Sequence, residues 1–399
     1  PVGFCARMWY KVRMLELSDI VGQDEAIALL GHQLSGGRPH HALLFAGPRG
    51  VGRRTTARAL AKTLLCEKPG PPGSADGPAL FGAEETGQTD IVQACGACDN
   101  CRMFQAGSHP DFQTVSKELA AFHPDANVRA RTMQELGIDV IRHFLIAPAG
   151  RSANRARGKV FLVLEAELMS SAAQNSLLKT LEEPPPGVTI ILITSKPDRL
   201  LATTLSRCCR VPFGYLPAGF VQEKLTDAGL DATEADFWAR FTAGSIGRAL
   251  AMSEAGMYKR KREMVAQAAN PDADGFGEQL HKAMDALAEN TVKDSKKDAD
   301  SPTMAKTLAS RRVAGDMLEI LASFYRDAMS AAVNATTRLI HADQEGEIHA
   351  TASRFAPAVL ADIIEQLSEY ERLLWRNVSP KTLWDNVAIT CLSGAPLRV

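Results

Sequence analysis

Seven consecutive residues, Val188-Thr189-Ile190-Ile191-Leu192-Ile193-Thr194, are all β-branched or leucine and none is charged. A run this short and this apolar predicts a strand buried on both faces, as in a parallel sheet. Two more short apolar segments, His41–Ala46 and Lys159–Leu164, read the same way. Around them lie segments with helical spacing: Asp24–Leu34, Thr55–Leu65, Ile138–Leu145 and Ser171–Leu181. The last is stopped by Pro184-Pro185-Pro186, because proline cannot continue a helix. Strands alternating with helices predict an α/β unit whose parallel sheet is covered on both faces. Residues 66–133 interrupt the pattern. They are Pro- and Gly-rich at 69–82, Cys-rich at 95–101 and then polar, which reads as an insertion.

After Phe213 the strand pattern stops. Pro217–Leu250 reads as a small helical unit, and from about Met257 every long segment has helical spacing. Asn270–Pro302 is the exception. It is rich in Asp, Lys, Ala and Gly, holds the charged run 293–300, and is expected to be a mobile loop. At 399 residues two or three domains are expected. A net charge of −1 leaves no global basic footprint, so nucleic-acid contact must come from a local patch or from partners. No apolar run reaches membrane-spanning length, and Pro1–Cys5 lacks a basic-then-apolar targeting pattern, with Met14 as an alternative start.

Gly47-Pro48-Arg49-Gly50-Val51-Gly52-Arg53-Arg54-Thr55 follows the first strand and opens a helix. Such a glycine-rich turn cradles phosphates with backbone N–H groups, a lysine supplies charge, and the next hydroxyl holds magnesium. Gly47, Gly50 and Gly52 are present. Arg53 stands at the lysine position and Arg54 at the hydroxyl position, with Thr55 one residue late. A planar guanidinium does not replace a compact ammonium, and Arg54 cannot bind a cation. A strand-to-helix turn without ligand is the plainer reading, beside residual nucleotide binding. Lys159–Glu167 resembles a Walker B strand, but Leu164 replaces the magnesium carboxylate. Glu165 falls where the water-activating acid would be. Two separate lesions at one site predict no hydrolysis.

Gln174-Asn175-Ser176-Leu177-Leu178-Lys179-Thr180-Leu181-Glu182-Glu183-Pro184-Pro185, followed by Asp198–Cys208 with its Ser206-Arg207-Cys208 step, resembles bacterial DNA polymerase III clamp-loader subunits. The altered phosphate loop places the resemblance nearer the delta prime type than the ATPase (tau/gamma) type. The match is fullest over Ile20–Val211 and thinner at Gly244–Leu250 and Leu373–Val387. It implies an AAA+ module at 1–213, a helical lid at 214–254 and an all-α collar at 255–399. It implies a cytoplasmic component of the DNA polymerase III holoenzyme with no ATPase activity of its own. Its partners would be the tau/gamma and delta subunits in a hetero-pentameric ring, the sliding clamp, and primer–template DNA through the complex. Arg207 would be an arginine finger acting in trans, the alternative being an ordinary surface arginine. Thr194 would hold the sensor 1 position. At the lid, Gly247 falls at the offset where relatives carry a sensor arginine and Arg248 comes one residue later, so a helix-start arginine is at least as good a reading.

Cys66, Cys95, Cys98 and Cys101 have the spacing of a four-thiolate structural zinc site, with the module at about 66–111. An iron–sulfur cluster shares the ligand type and stays open on spacing alone. The family resemblance implies zinc and assigns His109-Pro110-Asp111 to the return into the core. Cys5, Cys208, Cys209 and Cys391 have no partner spacing. In the helical end, Val313, Met317, Ile320, Leu321 and Phe324 form an apolar stripe, repeated over Val359–Leu374. Ser379 and Pro380 start the last helix, and Trp375 and Trp384 are candidate anchors of collar packing. Two rival functions remain: an active clamp-loader ATPase with an unusual pocket, and a zinc-stabilised DNA-binding adaptor.

Overall fold

The computed structural model describes residues 16–37, 39–71, 91–129, 135–270, 273–297, 306–374 and 379–394. The chain separates into two compact units, Pro1–Pro217 and Ala218–Val399.

The first unit is built on five parallel strands: β1 (Ala42–Ala46), β2 (Phe112–Val115), β3 (Lys159–Val163), β4 (Val188–Thr194) and β5 (Cys209–Pro212). Their order is β2-β3-β4-β1-β5, with Phe45 level with Ile193 on one side and Val211 on the other. Alternate residues feed two cores. Leu43, Phe45, Ile191 and Ile193 meet Leu30, Ala57 and Leu60 on one face. Leu44, Ile190 and Leu192 meet Val140, Leu145, Leu177 and Leu181 on the other. Each such buried aliphatic side chain contributes about 1.5–3 kcal/mol, so apolar residues dominate the central strands, with Lys159, Thr189 and Thr194 the buried polar exceptions.

β2 lies inside the stretch expected to be irregular, and β5 in a stretch where no strand was expected. Both are four-residue edge strands, only partly buried. β5 ends in Pro212, which an edge tolerates because no neighbour needs its missing N–H. The segment Pro197–Leu205 is two pieces, a 3₁₀ turn Pro197–Arg199 and a helix Ala202–Leu205. Between them the Leu201 N–H donates to Gln174 Oε1 at 2.8 Å.

In the second unit every described element is helical, so it contains both segments read as lid and as collar. Helices Ala218–Asp227, Ala232–Phe241 and Ile246–Glu254 pack together. Lys306–Ala332 packs against Phe276–Lys297, Glu345–Arg354 and Pro357–Leu373. The loop expected at 270–302 is corrected: Phe276–Lys297 is a helix. Phe276, Leu280, Met284 and Leu287 are buried at 4, 4 and 3 residue steps, a stripe that the polar composition concealed. Trp384 is fully buried in the chain's own bundle, with its Nε1 on Met284 Sδ at 3.3 Å, so it does not reach another subunit. Trp375 and Cys5 lie outside the described residues. Ser379 takes the N-cap position of Pro380–Ser393, although its hydroxyl makes no cap bond. Among the described residues no helix is long and apolar enough to cross a membrane.

Candidate functional site

All five strands are parallel, so the ends of β1, β3 and β4 share the carboxyl edge of the sheet, where α/β folds place ligands. Gly47, Gly50 and Gly52 carry the chain from β1 into the helix Arg53–Leu65. A Cβ at Gly47 would lie 2.2 Å from the Phe213 carbonyl oxygen, and Gly50 and Gly52 adopt φ of 75° and 99°. Gly47→Ala should therefore cost about 1–3 kcal/mol, the scale of an overpacked site, measurable as a lowered denaturation midpoint.

Arg53 does not project into the loop. It is buried, and its guanidinium donates to the Thr194 carbonyl at the end of β4. Burial pushes it down to about 10, while the nearby Glu167 works the other way. Thr194 is buried as well, and its carbonyl also accepts from Gly47 N at 3.3 Å. Glu165 sits in the left-handed region at φ 48° and is held by two cations. Arg49 Nη2 is 2.9 Å from one carboxylate oxygen and Lys117 Nζ 3.4 Å from the other. Glu167 accepts from the Ser195 hydroxyl at 2.6 Å. Burial would raise its carboxyl, but hydrogen bonds from Ser195 and Thr194 outweigh that and hold it below the usual range. Arg54 is exposed.

The structure thus brings the expected Gly47, Gly50, Gly52, Arg53, Glu165 and Thr194 to one edge. Sequence reasoning missed Arg49, Lys117 and Ser195, and gave Glu167 no role. Only Arg49 carried a signal, its position inside the glycine-rich loop. The charged groups at this edge are already engaged within the chain. The cation at the lysine position faces a backbone carbonyl, and the retained acid faces two cations.

Arg207 lies apart from that loop, in the turn between Ala202–Leu205 and β5. Its Nε donates to Glu182 Oε1 at 2.6 Å, its Nη2 contacts the same oxygen, and its Nη1 donates to the Thr203 carbonyl at 2.8 Å and to Ser206 Oγ at 3.3 Å. The buried Gln174 fixes this turn, accepting from Leu201 N and, at 3.4 Å, from the Thr204 hydroxyl.

The sulfurs of Cys66, Cys95, Cys98 and Cys101 all lie within 4.8 Å of one another. Cys66 Sγ is 3.5 Å from Cys95 Sγ and 3.9 Å from Cys98 Sγ. Zinc–sulfur bonds of about 2.3 Å in a tetrahedron require sulfurs about 3.8 Å apart, so the set fits a single ion. Asn100 Nδ2 donates to the Leu65 carbonyl at 3.0 Å and ties the Cys-rich turn to the end of the phosphate-loop helix. The Cys95 thiol, although burial alone would raise it, is lowered to about 7 by backbone N–H groups of Ala97 and Cys98. His109 is not part of the cluster. Its Nδ1 accepts from Asp111 N at 3.1 Å, and the Asp111 carboxylate accepts from the N–H groups of Asn154, Arg155 and Ala156. Cys391 is buried, and Cys208 and Cys209 are half-buried.

Arg248 is neither solvated nor free. It pairs with Asp316 at 2.8 Å and Glu319 at 2.5 Å on Lys306–Ala332, which makes it a bridge inside the second unit.

Residues 22–77 and 79–216 match the family model described as DNA polymerase III, delta subunit, and residues 278–381 match that described as DNA polymerase III, delta subunit, C terminal. Over 220 residues the chain is 36% identical to DNA polymerase III subunit tau of Escherichia coli, covering 55% of this chain and 28% of the relative. Over 233 residues it is 33% identical to DNA polymerase III subunit delta' of the same organism, covering 58% and 60%. The matches thus span between about a quarter and three-fifths of these curated relatives. A solved gamma subunit-related protein of Thermotoga maritima aligns over 93% of this chain and 99% of its own, at 15% identity and a TM-score of 0.37.

Proposed function

The chain belongs to the DNA polymerase III delta-subunit family, and from that premise we propose that it is a delta prime-like, non-hydrolysing clamp-loader subunit. In this reading it supplies Arg207 in trans to a neighbouring tau/gamma ATPase subunit during ATP-dependent loading of the sliding clamp. Identity alone does not choose between types, standing at 36% to a tau subunit and 33% to a delta' subunit. The observation that carries the choice is the state of the chain's own loop. Arg53 is turned onto the Thr194 carbonyl, Leu164 replaces the magnesium carboxylate, and Glu165 is paired with Arg49 and Lys117. A loop in that state has neither a free lysine for the β- and γ-phosphates nor a metal ligand. Arg207 keeps a turn anchored by Gln174, outside that loop.

Residues 214–254 act as a lid and 255–399 as a collar joining the tau/gamma and delta subunits in a five-membered ring. Primer–template DNA is reached through the ring, in the cytoplasm. Cys66, Cys95, Cys98 and Cys101 hold one structural zinc. Four thiolates leave it no open coordination position, so it supplies folding energy and no chemistry.

The test is ATP turnover by the pure chain. None is expected, with or without DNA and clamp. Steady turnover abolished by Glu165→Gln would overturn the reading and favour an active ATPase.

A further inference from the structure

We propose that Glu182 is a latch for Arg207: within the same chain its carboxylate occupies the guanidinium edge that a neighbour's phosphate would grip, and yields it when that phosphate arrives. The inference rests on the reading of Arg207 as a finger in trans and gives that site a regulator.

A guanidinium has five N–H donors. Here Nε and one Nη2 donor go to Glu182, and Nη1 serves Thr203 and Ser206. At most one N–H is left over, so as it stands Arg207 cannot present the two parallel donors with which arginine holds a phosphate. The edge that must open is Nε–Nη2. The bond from Nη1 to the Thr203 carbonyl can persist as a pivot while it does.

The latch is built to exchange. Both donors converge on a single oxygen, Oε1, whereas a phosphate offers each its own oxygen and carries more charge. The pair is also open to water, with Arg207 32% and Glu182 47% exposed, and such ion pairs are weak. Glu182 is moreover poorly placed for the stability of its own helix. It is the last residue of Ser171–Glu182, where the helix dipole disfavours a carboxylate, and Glu183 follows. Arg207 is the cation it pairs with there. Pro184-Pro185-Pro186 follow directly and restrict the backbone beyond the helix end. Gln174, from the same helix, holds the finger's turn at the other end. One helix therefore carries both the anchor and the latch.

Glu182→Gln keeps shape and removes charge. In a loader reconstituted with the ATPase subunits, it should lower the ATP concentration for half-maximal turnover by roughly two- to fivefold, the equivalent of an exposed ion pair. Maximal turnover should not fall. The effect should vanish in the Glu182→Gln/Arg207→Ala double variant and shrink at high salt, where screening has already loosened the wild-type pair. A thermal melt checks that the variant is folded, with Glu182→Ala as a second variant. If Arg207→Ala lowers turnover but Glu182→Gln leaves half-saturating ATP unchanged, or lowers maximal turnover, the latch is wrong and the finger stands. If Arg207→Ala changes nothing, the finger reading fails and the latch with it.

Discussion

Cys98→Ser is expected to empty the metal site and unfold the module around it. A structural zinc contributes about 10 kcal/mol or more of local folding energy, and loss of one thiolate from four removes most of it. The thiols have little else to hold them. Cys66, Ala94 and Cys101, with Cys95 and Cys98 beside them, form a small cluster separate from the two sheet cores. The damage should therefore stay local, with one connection outward. Phe104, in the helix Asp99–Gln105 that Cys98 caps, packs into the core on one face of the sheet. The variant should show zinc content falling from one per chain to near zero, fast proteolysis within 66–111, and a modestly lowered melting midpoint. Treating the wild-type chain with a metal chelator should do the same. Full metal content in Cys98→Ser would show that the ligand set is wrong.

What could be read in the sequence follows burial. β1, β3 and β4 are covered on both faces, so each is a short, largely apolar run that reads as a buried strand. β2 and β5 sit at the edges, where Gln113, Thr114 and Arg210 are tolerated, and they left no such signal. The helix Phe276–Lys297 was hidden for the opposite reason: averaging over 270–302 gave weight to its charged surface and hid its apolar stripe. At the loop, the residues that a motif fixes by position were legible, among them Gly47, Gly52, Arg53 and Glu165. Their partners were not. Arg49 meets Glu165 across 116 positions and Arg207 meets Glu182 across 25, and only the fold brings them together. Arg53 shows the limit most clearly. The substitution for lysine was visible, but that the guanidinium would be buried on the Thr194 carbonyl was not.

The largest functional effect is expected from Arg207→Ala. The charge that spreads over the γ-phosphate as the bond breaks is what an arginine finger stabilises, and a finger in trans is worth about a thousandfold or more at its site. The side chain is about a third exposed and its contacts are to Glu182, Thr203 and Ser206, so removing it should leave folding and assembly intact. Arg207→Lys should rescue only in part, because an ammonium cannot make the planar two-point contact. In the proposed ring the other ATP sites would have fingers of their own, so turnover of the whole assembly should fall substantially without reaching zero.

The most direct test of the account is clamp- and DNA-stimulated ATP turnover by the assembled loader, compared between wild-type chain and Arg207→Ala at equal assembly. The account predicts a large drop in turnover and in clamp loading from a chain that hydrolyses nothing by itself. An unchanged rate from a fully assembled Arg207→Ala loader would make Arg207 a surface arginine and contradict the central claim.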